Sequence, residues 1–147
     1  MPLFSRKQQQ NGPTDDEVRE QRLEAIKRLC ERFSYDLGLL IAGHPVAFEE
    51  YMDQHAAARL RDSVEPFLAT GDAMRPNFGE YGELRVEGNL LDHTQPIYAF
   101  IEFDDQSVRE TAAGELIPSQ KRRMLLSIII DPAVTHISDY NLKPVEQ

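Results

Sequence analysis

The chain has 147 residues, 41% of them hydrophobic and 28% charged, a balance that excludes disordered and fibrous classes and suits one domain with its own core. No uncharged apolar run approaches the roughly 18 residues that a membrane-crossing helix needs; the longest in the second half is Met124 to Ile130. The net charge is −9, and residues 36–117 hold 5 arginines against 16 acidic residues, so the middle of the chain lacks the electrostatic attraction that dominates nucleic-acid binding. A lone cysteine, Cys30, excludes an internal disulfide and reads as a small core residue. The first residues carry no apolar signal region, which makes a cytoplasmic location the expectation.

Residues 1–13 are polar, are broken by Asn11-Gly12-Pro13 and have no hydrophobic period, so they read as a flexible tail ahead of a single domain over 14–147. Thr14-Asp15-Asp16-Glu17 has the form of a capping box, in which the Thr14 hydroxyl and the Glu17 carboxylate each accept from the other's amide. Leu23, Ile26, Cys30, Phe33, Leu37 and Leu40 then recur at steps of three and four, as one stripe of a long amphipathic helix. Lys27, Arg28, Glu31 and Arg32 fall on its polar face, and Gly43 is placed to end it. A second helical region is expected from about Val46 to Leu68, bent by Pro66. Ala73 to Gly82, with Pro76, Gly79 and Gly82, reads as a loop.

From Glu83 the hydrophobic period becomes two. Leu84, Val86 and Leu90 form one alternating segment, and Ile97, Ala99, Ile101 and Phe103 form another whose intervening Tyr98 and Phe100 make its second face apolar too. Ala112-Ala113-Gly114-Glu115 offers a tight turn. Lys121 to Asp131, rich in Ile and Leu, is the strongest strand, and a last strand lies near Thr135 to Leu142. Helices followed by a meander predict an α+β fold, with N-terminal helices packed on a curled antiparallel sheet of about four strands.

This order resembles the cone-shaped α+β fold of the nuclear-transport-factor-like superfamily over about residues 14–142. Val108 to Ile117, the apolar strand Met124 to Ile130 and the closing Thr135-His136-Ile137-Ser138-Asp139-Tyr140 are similar in order to import-motor anchor and type IV secretion assembly-factor domains. The resemblance implies a sheet whose concave face, closed by helices, holds a ligand or is filled by side chains. That scaffold serves hydratases, isomerases, carriers and interaction modules.

The four histidines, His44, His55, His93 and His136, occur in no HxxxH or HExxH spacing, so neither a metal site nor a cofactor is expected. His136 shares a strand face with Ser138 and Tyr140 by period two, a face suited to lining a cone. The first functional expectation is a non-enzymatic protein-interaction or assembly module that binds a partner protein or forms a homodimer through its sheet. Its alternative is a small-molecule site, or a lyase- or isomerase-type enzyme, with Tyr98, His136 and Tyr140 as polar liners of an apolar cavity.

Overall fold

A computed structural model describes residues 12–145. Helix α1 (Asp15–Ile41) and helix α2 (Gln54–Leu68) flank a single 3-10 turn at Phe48–Glu50, and eight strands follow. These are β1 (Ala73–Arg75), β2 (Phe78–Gly79), β3 (Arg85–Glu87), β4 (Ile97–Asp105), β5 (Val108–Glu110), β6 (Leu116–Ile117), β7 (Arg122–Asp131) and β8 (His136–Pro144). The α+β class is as expected, but the strands divide between two antiparallel sheets. A five-stranded sheet runs β2-β4-β7-β8 with β3 also on β4, and a small one runs β1-β5-β6. Residues 1–11 of the expected tail lie outside the described residues.

Both ends of α1 are built as its sequence indicates. Thr14 Oγ1 accepts from the Glu17 amide at 3.2 Å while the Thr14 amide donates to Glu17 Oε1 at 3.1 Å. At the other end Gly43 adopts φ 92°, the left-handed conformation open to glycine without a Cβ clash. The Gly43 and His44 amides then return to the carbonyls of Leu40 and Leu39 at 2.9 Å, a Schellman closure. Between the caps Ile26, Leu29, Cys30, Phe33, Leu37 and Leu40 are buried, whereas Leu23 at the start of the expected stripe is 40% exposed.

The second helical region is in two pieces. The chain is extended at Met52-Asp53, where Met52 forms a parallel bridge with Ile137. The Asp53 amide donates to the Ile137 carbonyl, and the Ile137 amide to the Tyr51 carbonyl, both at 2.8 Å. These strand-like bonds use backbone groups that a continuous helix would have kept for itself. Tyr51 is buried beside them and donates to Asp36 Oδ2 at 2.8 Å. Pro66 lies in the last turns of α2. The expected loop at 73–82 instead contributes two short strands, because β1 and β2 find partners in β5 and β4 that are distant in sequence.

β4 and β7 pair over nine positions, from Ile97 opposite Ile130 to Asp105 opposite Arg122. Alternation sends Ile97, Ala99, Phe103, Met124, Leu126, Ile128 and Ile130 inward, all buried, into one core with Phe33, Leu37, Phe48, Met52 and Leu60 from the helical half. Tyr98, Phe100, Leu125 and Ile129 point the other way and are half-buried or exposed.

The 3-10 turn is tied to α2 by Arg61, which donates to Glu49 Oε1 at 2.8 Å and to the Val46 carbonyl at 2.6 Å. The Arg61 hydrogen bonds hold the Glu49 carboxyl down at about 2, against an ordinary 4.5. A folded-state value below the unfolded one means that this pair stabilises the fold above about pH 4.5 and loses that contribution as the pH falls towards 2. Thermal melts of the native chain and Glu49→Gln should therefore differ at pH 6 and converge by about pH 2, the native chain losing more. Thr14→Ala should cost about 1 kcal/mol in denaturant titrations.

A cleft between the first helix and the sheet edge

One face of α1 does not close on the sheet. Cys30, Ser34 and Gly38, spaced four apart, present small side chains along one line, with Gly38 permitting close approach to Pro76 and the small Cys30 and Ser34 leaving space beside it. The opposite wall is built from Phe78, Leu84, Ile101, Phe103 and Leu126, with Pro76 at one end. Between the walls lies a solvent-accessible cleft of about 770 Å³, within the roughly 300–1,000 Å³ of small-molecule sites. Lys27, Glu31 and Tyr35 from α1, and Tyr81 and Glu83 from the sheet edge, stand among its lining groups. From Lys27 to Leu39 the helical wall runs about 18 Å at 1.5 Å per residue.

The sheet-edge wall, residues 76–84, is held firmly. Its β2 residues Phe78 and Gly79 pair with Asp105 and Asp104, and the Gly82 amide donates to the Glu102 carbonyl at 2.8 Å. Arg123 donates to the Glu80 carbonyl at 2.6 Å and to Asp104 at 3.0 Å. Phe78 meets the Phe103 ring edge-on at 5.1 Å, and the Tyr81 ring lies 5.7 Å from Phe103. Across the gap two contacts join the walls. The Ser34 and Tyr81 hydroxyls are hydrogen-bonded at 2.7 Å, and Gly38 lies so close to Pro76 that a Cβ there would approach the proline Cβ to 3.3 Å.

Cys30 forms part of the floor, but burial pushes its thiol up to about 12, and a thiol of that acidity supplies almost no thiolate nucleophile near neutral pH. The remaining polar groups are hydroxyls and the charges of Lys27, Glu31 and Glu83.

Tyr98, His136 and Tyr140 stand elsewhere. Tyr98 is on the outer face of β4, 40% exposed. His136 lies at the start of β8, where its Nε2 is 2.8 Å from Asp53 Oδ1. Tyr140 packs against Phe33 at 5.8 Å, under the guanidinium of Arg59 at 4.5 Å, which also donates to the Tyr140 carbonyl at 2.7 Å and to Asp139 at 2.6 Å. The structure does not bring the three together, and none of them lines the cleft.

The common face expected for His136, Ser138 and Tyr140 fails for a definite reason. Ile137 pairs with Ile130 while Asp139 pairs with Ile129, so Ser138 is an extra residue and β8 is bulged there. A bulge breaks the period of two: Ile137 and Tyr140 pair with the buried residues Ile130 and Ile128, and His136 is opposite Asp131. Of the other histidines, His44 and His55 are exposed, and His93 Nδ1 lies 2.7 Å from Arg22. The cleft residues were missed because Lys27 and Glu31 read as part of the polar face of α1, and nothing in their spacing gave Ser34 or Tyr35 a role. A signal was present in the 30, 34, 38 run of small residues, whose meaning depends on what is packed opposite.

No protein-family model matches this chain, and no curated protein matches it. Cys30 tests the character of the site directly: iodoacetamide at pH 8 should label it at least about a hundredfold more slowly than a free cysteine peptide, as expected for a buried neutral thiol.

Proposed function

We propose that this is a non-catalytic binding protein whose cleft between α1 and the sheet edge takes in the apolar body of a small molecule. The observation that carries the reading is the cleft itself: about 770 Å³, walled mainly by apolar side chains, and open at one side. Its walls are fixed by strand pairing and by Arg123, so the space exists before a ligand arrives and little ordering cost falls on binding. The resemblance to cone-shaped α+β domains, which leads one to expect a space between helices and sheet, supports the same reading. So does the absence of an activated nucleophile among the lining residues, where the thiol of Cys30 is held neutral.

Uncharged n-alkanols test this without assuming a head group. Each methylene removed from water contributes roughly 0.8 kcal/mol, or about fourfold in affinity. Calorimetric titration should show affinity rising about threefold to fourfold per added CH₂ from hexanol upward, then levelling when the cleft is full. Ser34→Trp, on a half-exposed helical position at the mouth, should fill the space and weaken binding at least tenfold while circular dichroism shows the native secondary structure, with the melting temperature lowered only by loss of the Ser34–Tyr81 hydrogen bond. Equal binding by the native chain and Ser34→Trp would overturn the reading.

A second reading, self-association through the sheet, is favoured by the outer face, where Tyr98, Phe100, Leu125 and Ile129 leave a partly exposed apolar patch. On that reading light scattering at high concentration should give the mass of two chains and Phe100→Glu should return it to one.

A further inference from the structure

The rim of the cleft carries information about the ligand that its apolar walls do not. Glu31 enters from α1 and Glu83 from the sheet edge, so two carboxylates approach the same space from opposite walls. Among the described residues neither has a cation within ion-pair distance, unlike Glu24, Glu49, Glu50, Glu87, Glu102 and Glu110, and what distinguishes Glu31 and Glu83 from other unpaired glutamates such as Glu65 and Glu115 is their place in the cleft lining. Tyr35 and Tyr81 also line the cleft and are 69% and 48% exposed, an unusual outlay of aromatic surface beside carboxylates. Tyr81 is oriented by its hydrogen bond to Ser34 and by its contact with Phe103.

The charges facing this space are Glu31, Glu83 and Lys27, one turn before Glu31 on α1. Their sum is negative. The wider field points the same way, with a net charge of −9. An anionic ligand would have Lys27 as its single attraction and two carboxylates against it. An organic cation would meet the two carboxylates and the aromatic side chains of Tyr35 and Tyr81 in the same lining, groups of the kind by which proteins hold ammonium ions.

Resting on the reading of the cleft as an apolar binding site, the geometry points to a ligand class: a cationic amphiphile, an alkyl or aryl ammonium whose apolar body lies along Cys30, Ser34 and Gly38 and whose charge is held between Glu31 and Glu83. Lys27, the one cation in the lining, opposes this preference only weakly, because its charge is outnumbered at the rim.

The test compares three probes of one chain length at neutral pH, octylammonium, octan-1-ol and octanoate, titrated into the native chain by calorimetry at low and at moderate salt. Octylammonium should bind at least tenfold more tightly than octanoate, with octanol between them, and the spread should shrink as salt rises. In Glu31→Gln/Glu83→Gln the three probes should bind within about threefold of one another. Glu65→Gln/Glu115→Gln removes the same charge from exposed positions outside the cleft and should keep the native preference.

If octanol binds in the cleft but octanoate matches or exceeds octylammonium, the cationic class is overturned while the apolar site stands. The class is equally overturned if the preference survives Glu31→Gln/Glu83→Gln, since the whole-chain charge would then be its source. If Ser34→Trp leaves the binding of all three probes unchanged, the cleft is not the site and both readings fall.

Discussion

Everything in this molecule depends on how α1 meets the inner face of the β4–β7 pair. The helix presents two adjacent stripes. The bulky one, Ile26, Leu29, Phe33, Leu37 and Leu40, is buried in the core. The slender one, Cys30, Ser34 and Gly38, meets the opposite wall at Gly38 against Pro76 and at Ser34 against Tyr81, and the lining of Phe78, Ile101, Phe103 and Leu126 leaves a space beside these contacts. Close packing on one stripe sets the distance of the helix from the sheet, and at that distance the other stripe leaves a space. The cleft is thus made by small side chains on α1 together with the 76–84 segment that walls it from the other side.

The rest of the architecture keeps that geometry in place. β8 is fastened to the helical half by backbone bonds between Ile137 and the Tyr51-to-Asp53 segment, by the His136 and Asp53 pair, and by Arg59 on Asp139 and Tyr140. These contacts give His136 and Tyr140 structural work at one side of the sheet. On the opposite side Arg123 collects Glu102, Asp104 and the Glu80 carbonyl, holding the edge segment that walls the cleft. The small β1-β5-β6 sheet is joined to the end of α2 through Asp72, which accepts from Arg109 Nε at 2.8 Å and from the Ala112 amide at 3.0 Å. The Arg109 hydrogen bonds hold the Asp72 carboxyl below its usual range.

On the proposed reading, the cleft separates two tasks among its residues. Apolar walls remove ligand surface from water and set affinity without regard to direction. Charged and aromatic rim groups act on one end of the ligand and set orientation and class. The described residues of α1 contribute to both, since Cys30 and Gly38 belong to the wall and Glu31 and Tyr35 to the mouth. No helix among the described residues is long and apolar enough to cross a membrane, and the apolar character of the chain is instead spent on one core, one cleft and a partly exposed outer sheet face.

The sequence by itself determined what local chemistry controls. The Thr14 to Glu17 capping box, the glycine that ends α1, the buried stripe from Ile26 to Leu40 and the long strands at 97–105 and 122–131 all follow from residues within a turn or two of one another, or from a strict period of two. The α+β class follows from their order. What only the tertiary structure decided are the features that need a partner from far along the chain. The break at Met52-Asp53 exists because Ile137 offers strand bonds there, and β1 and β2 exist because β5 and β4 lie beside them. One extra residue, Ser138, turned the expected His136, Ser138 and Tyr140 face into two. The cleft was invisible for the same reason: Lys27 and Glu31 look like part of a polar helix face, and Ser34 and Tyr35 have no role, until Phe78, Tyr81 and Phe103, more than forty positions away, close the other side. A space between two surfaces belongs to neither stretch of sequence, so it appears only when both are in place.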